Sequence, residues 1–154
     1  IEREPVDITE LLAQIVEDAQ FEAGIKHCRV SLQASAPFIS RVSGELLYRC
    51  FENVIRNALR YTGTGTAVLV VAQNSLDGRN LRVRITDQGP GVEAERLMSI
   101  FEPFERGINE PGSGFGLGLA IASRAVGMHG GTISASNQPS GGLTVEFNLP
   151  RQTL

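Results

Sequence analysis

Apolar side chains recur at three- and four-residue spacing in three segments of the chain. This spacing is that of one face of a helix. The three predicted helices are residues 6–24, which Asp7 or Thr9 can cap, residues 43–61, and a segment with Leu117, Ile121, Ala125 and Met128 on its apolar side. A shorter helix is predicted over residues 94–100.

The other apolar segments show two-residue alternation or short β-branched runs, which are typical of strands. They are residues 30–34, 37–40, 66–73, 81–85, 132–136 and 143–149. Asp77-Gly78 is a hairpin signal, whereas residues 103–115 combine poor periodicity with several glycines and prolines, which predicts a mobile loop. Three helices over one mixed, largely antiparallel sheet predict a two-layer α/β sandwich, with residues 1–154 as a single domain.

Composition narrows the class of partner. The chain of 154 residues has a net charge of −3 and no basic run, which argues against a nucleic-acid-binding surface. No apolar stretch approaches the roughly 20 residues of a membrane-spanning helix. Cys28 and Cys50 lack metal-ligand spacing, which favours a reducing, cytoplasmic setting.

Two glycine-rich segments carry candidate chemistry. In residues 87–92, DQGPGV, a carboxylate at a strand end can accept a hydrogen bond from an exocyclic amine such as that of adenine, and the glycines allow close backbone approach. Residues 112–119, GSGFGLGL, lead into the third helix, whose first N–H groups favour an anion. The second segment follows no strand and lacks a Lys-Ser/Thr pair, which excludes the dinucleotide and P-loop patterns. The alternative interpretation is a plain turn for the first segment and a flexible linker for the second.

A polar stripe on the second helix carries further candidates. Asn53, Asn57 and Arg60 are spaced by four and three residues, so they lie on one side of that helix. A solvated polar face would explain any one of them, but asparagine is a poor helix former and two on one stripe carry a cost. Asn53 and Asn57 are followed by Arg60 and Tyr61. This arrangement favours coordination of Mg²⁺ by the two amide oxygens and contact of Arg60 with phosphate.

Taken in order, these segments resemble the catalytic and ATP-binding domain of bacterial sensor histidine kinases, in the GHKL superfamily with gyrase, Hsp90 and MutL ATPases. Residues 51–62, FENVIRNALRYT, resemble the asparagine box, and residues 87–92 resemble the first glycine box. Residues 100–106, IFEPFER, are similar to the phenylalanine box, and residues 114–121, GFGLGLAI, to the second glycine box. Four boxes in this order are far more specific than any one of them.

The resemblance implies the Bergerat fold, with an ATP lid over residues 101–116, and it implies ATP and Mg²⁺ as ligands. Asn57, with Asn53 nearby, is expected at Mg²⁺; Arg60 and Arg106 are expected at the phosphates, and Asp87 at the adenine amine. The other residues expected at the nucleotide are Tyr61, Gly89, Gly91, Phe104, Gly114, Gly116, Leu117, Gly118, Leu119 and Thr144, the last at a position near Asp87.

The sequence departs from the family pattern at two positions. Phe115 stands where the second glycine box commonly has threonine. The hydrolytic relatives place a glutamate four residues before the Mg²⁺-binding asparagine, where this chain has Asn53. Glu52 is the neighbouring candidate for that catalytic role, but it lies about 100° around the helix from Asn53 and so is poorly aimed at the same water. Slow ATP hydrolysis is therefore expected.

The function that the resemblance implies is transfer of the γ-phosphoryl group of ATP to a histidine on a dimerisation domain that this sequence lacks. A response regulator would then accept the group. Residues 1–24 resemble the segment that follows that domain, and neither His27 nor His129 is expected to be the acceptor. The isolated domain is expected to be monomeric and inactive in autophosphorylation, and the full-length receptor a homodimeric inner-membrane sensor with this domain in the cytoplasm.

Two other functions stay open at this point. The first is a nucleotide-binding or docking module without kinase activity, which Phe115 favours and which Asn57, Asp87 and the glycines oppose. The second is a serine-directed kinase of the anti-sigma type, which has the same fold.

Overall fold

Three helices pack on one face of a five-stranded sheet. The computed structural model describes residues 1–102 and 116–153, the side chains of 116–118 excepted. The elements are β1 (Glu4–Asp7), α1 (Ile8–Ile25), β2 (Arg29–Ala34), β3 (Ile39–Val42), α2 (Gly44–Tyr61), β4 (Ala67–Asn74), β5 (Asn80–Thr86), two single-turn 3₁₀ helices (Ala94–Arg96 and Ser99–Phe101), α3 (Gly116–Met128), β6 (Thr132–Asn137) and β7 (Leu143–Pro150).

The five-stranded sheet has the strand order β2-β4-β5-β7-β6. Only the β2–β4 pair is parallel, and the other three pairs are antiparallel, so the prediction of a mixed, largely antiparallel sheet is confirmed. In β5, Leu81, Val83 and Ile85 face the helices and are buried, whereas Arg82 and Arg84 alternate with them on the open face. This alternation is the two-residue period that the sequence shows.

The second helix is the central element of the helical layer, because it packs against both α1 and α3. Ser43 caps it, with its Oγ accepting a hydrogen bond from the Leu46 N–H. Phe51 anchors it to the sheet through an edge-on contact with Phe147, with ring centroids 5.1 Å apart. None of the helices in the described part of the chain is long and apolar enough to cross a membrane.

The structure corrects the predicted start of the first helix. Val6 lies in strand β1, which pairs with β3, and α1 begins at Ile8 with Asp7 as its N-cap. The Asp7 Oδ1 accepts hydrogen bonds from the N–H groups of Thr9 and Phe38. The partner of β1 is more than thirty residues away in sequence, so local periodicity gives no sign of the pairing.

Two other predictions about helices were wrong in detail. Residues 94–100 do not form one helix, because the two 3₁₀ turns replace it. The buried side of α3 consists of Leu119, Ala122, Ala125 and Val126, whereas Ile121 and Met128 remain about 40% exposed (44% and 41%). This helix is apolar nearly all round, so its periodicity does not select a face.

Candidate nucleotide site

Asp87 is a buried acceptor at the end of β5. Only 4% of the residue is exposed, and its Oδ1 accepts hydrogen bonds from the N–H groups of Gly89 (2.9 Å) and Leu143 (3.1 Å). Within the described residues, Oδ2 has no hydrogen-bond partner. Burial raises the pKa of Asp87, and the two N–H donors oppose that rise. The backbone thus fixes one carboxylate oxygen and leaves the other available to a ligand.

The segment that follows Asp87 is held on two sides. The Gln88 N–H donates to Thr62 Oγ1 (3.0 Å), and the Gln88 Oε1 accepts from the Ala67 N–H (3.0 Å). Val92 is bound to Asn137 through both backbone groups, with the N–H donating to Oδ1 (2.9 Å) and the carbonyl accepting from Nδ2 (2.6 Å). The first glycine segment is therefore fixed between the end of α2 and the end of β6.

Glycine is required beside Asp87 for steric reasons. A Cβ on Gly89 would overlap the Tyr61 carbonyl oxygen, and a Cβ on Gly142 would overlap the carbonyl oxygen of Asp87 itself. Gly142 also has a φ of +106°, which L side chains rarely adopt. The two close approaches bring the end of α2 against Gly89 and the start of β7 against the backbone of Asp87.

The polar stripe of α2 leads to this carboxylate. Asn53 and Asn57 of the stripe are spaced by four residues, and Tyr61 follows Asn57 at the same spacing. The three residues therefore lie on one face of the helix, and all three are half-buried. Tyr61 lines a small cleft together with Asp87, Gly91, Val92 and Leu143. Neither asparagine amide is hydrogen-bonded to any residue in the described ranges 1–102 and 116–153. Their oxygens fit a hard cation such as Mg²⁺, which prefers oxygen ligands.

Arg60 is exposed at the end of the same stripe. Its guanidinium carbon lies 5.8 Å from the centroid of the Tyr61 ring. This distance is within the range of a cation–π contact with the Tyr61 ring, which itself lines the cleft. The position suits a contact with an anionic group of a ligand that enters the cleft.

Glu52 faces away from the stripe. Its Oε1 lies 3.4 Å from Arg56 Nη2, and its side chain lines a groove between α1 and α2 together with Asp18 and Tyr48. In that groove the Tyr48 hydroxyl donates to Asp18 Oδ2 (2.6 Å), and this bond raises the pKa of Tyr48 to about 12. The location does not favour Glu52 as a general base for a ligand at Asn57.

Thr144 pairs with Thr86, the residue before Asp87, so it lies near Asp87 as expected, but its side chain is on the other face of the sheet. Its Oγ1 lies 2.8 Å from Thr86 Oγ1 and accepts a hydrogen bond from Gln138 Nε2 (2.6 Å), on the open face of the sheet with Arg84 and Glu146. The Thr144 side chain therefore points away from the helical layer. The preceding residue, Leu143, is the one that contacts Asp87, through its backbone N–H. Sequence reasoning missed Leu143 because its function depends on the backbone.

The second glycine segment is only partly described. Phe104, Arg106, Gly114 and Phe115 lie outside the described residues, as does the predicted lid apart from its ends. Gly116, Leu117 and Gly118 form the first turn of α3, and Leu119 is buried. Among the described residues no cluster of three or more His, Cys, Asp or Glu could hold a metal ion.

Comparison with known proteins identifies the class of protein. The family model described as histidine kinase-, DNA gyrase B-, and HSP90-like ATPase matches residues 43–153. Because this match covers more than half of the 154 residues, the chain belongs to that family. The resemblance to the GHKL superfamily is thereby confirmed.

Individual relatives narrow the class to sensor histidine kinases. The chain is 37% identical over 153 residues to the sensor protein CutS of Streptomyces coelicolor, which covers 97% of this chain and 36% of CutS. The mycobacterial sensor histidine kinase MprB has a similar structure, with a TM-score of 0.84, 29% identity and 99% of both chains covered. Full-length ShkA in complex with AMPPNP gives a TM-score of 0.84 at 31% identity, covering 100% of this chain and 32% of ShkA.

The fold of this chain is therefore that of histidine kinase catalytic domains. The chain spans about a third or less of the length of the curated relatives it matches.

Proposed function

We propose that this domain binds ATP with Mg²⁺ and positions its γ-phosphoryl group for transfer to a histidine on a separate phosphoacceptor domain. The observation that carries the proposal is the Asp87 carboxylate, fixed through Oδ1 and unpaired at Oδ2 within the described residues. It lies in one cleft with Tyr61, at the end of the asparagine stripe. The related ShkA was solved with AMPPNP, an ATP analogue, which supports the same class of ligand here.

The chemistry asked of these side chains is binding and orientation. Asp87 would accept from the adenine amine, the amides of Asn53 and Asn57 would hold the cation, and Arg60 would neutralise phosphate charge. When bound, Mg²⁺ supplies charge neutralisation at the phosphate oxygens. Positioning and electrostatic stabilisation are most of what phosphoryl transfer requires of a protein.

The wider assembly follows from the same proposal. The phosphoacceptor histidine would belong to the dimerisation domain of a homodimeric receptor, and a response regulator would accept the phosphoryl group. This domain would work on the cytoplasmic side of an inner-membrane sensor. The names of the relatives, which are sensor proteins of bacteria, support this assignment.

The first test is a calorimetric titration with ATP, with and without Mg²⁺. Asn57→Ala is expected to weaken binding in the presence of Mg²⁺ by about tenfold, because the loss of one amide ligand costs on the order of 1.4 kcal/mol. Without Mg²⁺ the variant and the wild type are expected to bind alike. Asn80→Ala, in an exposed hairpin, is the matched control and should behave as wild type in both titrations.

The outcomes of this titration separate the candidate functions. An equal loss with and without Mg²⁺ would contradict the cation assignment of Asn57. No ATP binding by the wild type would favour the docking module. Phosphoryl transfer is tested by adding a histidine-bearing dimerisation domain of a sensor kinase in trans and measuring labelled phosphohistidine.

A separate prediction concerns hydrolysis. The chain alone is expected to hydrolyse ATP near the background rate, since the only carboxylate next to Asn53 in sequence is Glu52, which faces Arg56. Glu52→Gln should leave this low rate and the ATP affinity unchanged. Brisk steady turnover by the wild type that Glu52→Gln abolishes would place the chain with the hydrolytic branch of the family.

A further inference from the structure

We propose that His129 is a positioning residue for the nucleotide site, because its hydrogen bond to the Ser43 backbone sets the register of α3 on α2. The inference rests on the function proposed above. It concerns a side chain at the end of α3 that is remote from Asp87 and Tyr61 in sequence and lies outside their cleft.

The ring of His129 joins the two helices by hydrogen bonds at both nitrogens. The Ser43 N–H donates to Nε2 (3.0 Å), and Nδ1 lies 2.7 Å from the Ala125 carbonyl oxygen. Since a carbonyl only accepts, Nδ1 carries the proton and Nε2 is the acceptor. The residue is 1% exposed, so loss of either bond would leave a polar group buried without a partner. The geometry requires the neutral ring with its proton on Nδ1.

The position of this bond determines which residues of the two helices face each other. It joins the start of α2 to the end of α3, so the two helices are antiparallel. Cys50 is seven residues after Ser43, and Ala122 is seven residues before His129. The Cys50 Sγ contacts the Ala122 carbonyl oxygen at 3.6 Å, which confirms the register. Seven further residues along α2 reach Asn57, and six back along α3 reach Gly116, its first residue.

The register therefore places Asn57, on the polar stripe of α2, beside Gly116, the first residue of α3. These are the two parts of the proposed site that come from different helices. A slip of one helical turn would move them apart by about 5.4 Å. The His129 bond lies about 20 Å along the helices from Asn57, so it acts on the site only through the helix pair.

The N-terminal strand holds the same junction. The Arg3 Nη2 donates to the Met128 carbonyl (2.8 Å), and the Glu4 Oε1 accepts from the Gly44 N–H (3.4 Å). Among the described residues, Arg3 and Glu4 are the charged side chains that hydrogen-bond to this junction, and the Gln152 Nε2, which donates to the His129 carbonyl, is neutral. Burial, with a smaller effect from Arg3, lowers the pKa of His129.

Two substitutions separate the two hydrogen bonds of the ring. His129→Gln can place its amide oxygen near the position of Nε2 and keep the bond from Ser43. His129→Asn can keep the bond to Ala125 but does not reach Ser43. His129→Asn is expected to weaken ATP binding by about 5- to 10-fold, the equivalent of one lost hydrogen bond, and His129→Gln should restore affinity to within about twofold of wild type.

A control is needed for general destabilisation. Ile15→Val removes one buried methylene on α1, far from the junction, and should lower stability by about 0.5–1.5 kcal/mol without weakening ATP binding. Affinities are measured by calorimetry at a temperature where circular dichroism shows every variant folded. A Kd for His129→Asn equal to wild type, with only a lower unfolding temperature, would overturn the inference.

The pH profile gives a readout that a purely structural role would not move. The pKa of His129 is lowered in the folded state, so the ring stays neutral below the ordinary histidine pKa of roughly 6.5, and its stabilisation is lost as pH falls further. A protonated ring would set an Nε2–H donor against the Ser43 N–H.

As the pH falls below the ordinary histidine pKa of roughly 6.5, through the lowered pKa of His129, wild-type affinity for ATP should fall more steeply than that of His129→Gln. ATP and Asp87 titrate in both proteins, so the difference between the two profiles reports His129. Coinciding profiles would count against the inference. A wild type that does not bind ATP at all would instead overturn the proposed function itself, and this inference with it.

Discussion

Asp87→Asn is expected to lower the affinity for ATP by about 10- to 150-fold. The substitution would remove the proposed charge-assisted hydrogen bond to the adenine amine, worth roughly 1.5–3 kcal/mol. The structure adds a second reason. The N–H groups of Gly89 and Leu143 would hold the amide oxygen at the Oδ1 position, so the amide nitrogen would occupy the Oδ2 position. A donor would then face the donor of the ligand.

Stability is expected to respond in the opposite direction to affinity. Burial raises the pKa of Asp87, so the ionised carboxylate at neutral pH is a cost to the fold in the absence of ligand. The uncharged asparagine removes that cost and keeps an acceptor for the two N–H groups. The unfolding temperature of Asp87→Asn should therefore be no lower than that of wild type, while its calorimetric Kd rises.

The matched control is Asp77→Asn in the β4–β5 hairpin. Asp77 also accepts two hydrogen bonds through Oδ1, from the Ser75 hydroxyl and the Arg79 N–H, but it is exposed. Its substitution should leave the Kd for ATP unchanged. Unchanged ATP affinity in Asp87→Asn would refute the adenine assignment, and a large loss in Asp77→Asn would show that charge alone governs binding.

The parts of the fold that could be predicted from sequence are those governed by local patterns. Helix α2 carries its own start signal at Ser43 and a clear apolar face, and β5 alternates in the period of a half-buried strand. The β1–β3 pair could not be predicted, because it joins residues far apart in sequence and both strands are only four residues long. The buried face of α3 was assigned wrongly because nearly every residue there is apolar.

The side chains of the site were easier to predict than its backbone contacts. Asp87, Asn57 and Tyr61 stand out in the sequence because their side chains are of types that bind ligands, and the structure places Asp87 and Tyr61 in one cleft. The family resemblance pointed to Thr144, but the alternation of β7, with Val145 and Phe147 buried, places Thr144 on the open face. At this end of β7 the contact with Asp87 is made by the backbone N–H of Leu143, and no side-chain pattern in the sequence predicts it.

Gly142 lies in the turn between β6 and β7, and the sequence pattern gives no sign that it has a further role beside Asp87. Gly142→Ala is expected to destabilise the domain by several kcal/mol, on the order of 3 or more. Two costs add together. A φ of +106° is strained for alanine, and its Cβ would overlap the Asp87 carbonyl oxygen, where neither backbone can give way easily. Since the next residue donates its N–H to Asp87, ATP affinity should fall as well.

Gly127→Ala is the control for this substitution. Gly127 lies within α3, and a Cβ added there would meet nothing within 4 Å, so alanine should stabilise the domain by about 0.5–1 kcal/mol. The two variants make the same chemical change with opposite expected signs, which urea denaturation followed by circular dichroism would measure. A Gly142→Ala protein with the wild-type midpoint and wild-type Kd would mean that β7 does not press against Asp87. In that case the close approach of Gly142 to Asp87 would not be needed for stability or for ATP binding.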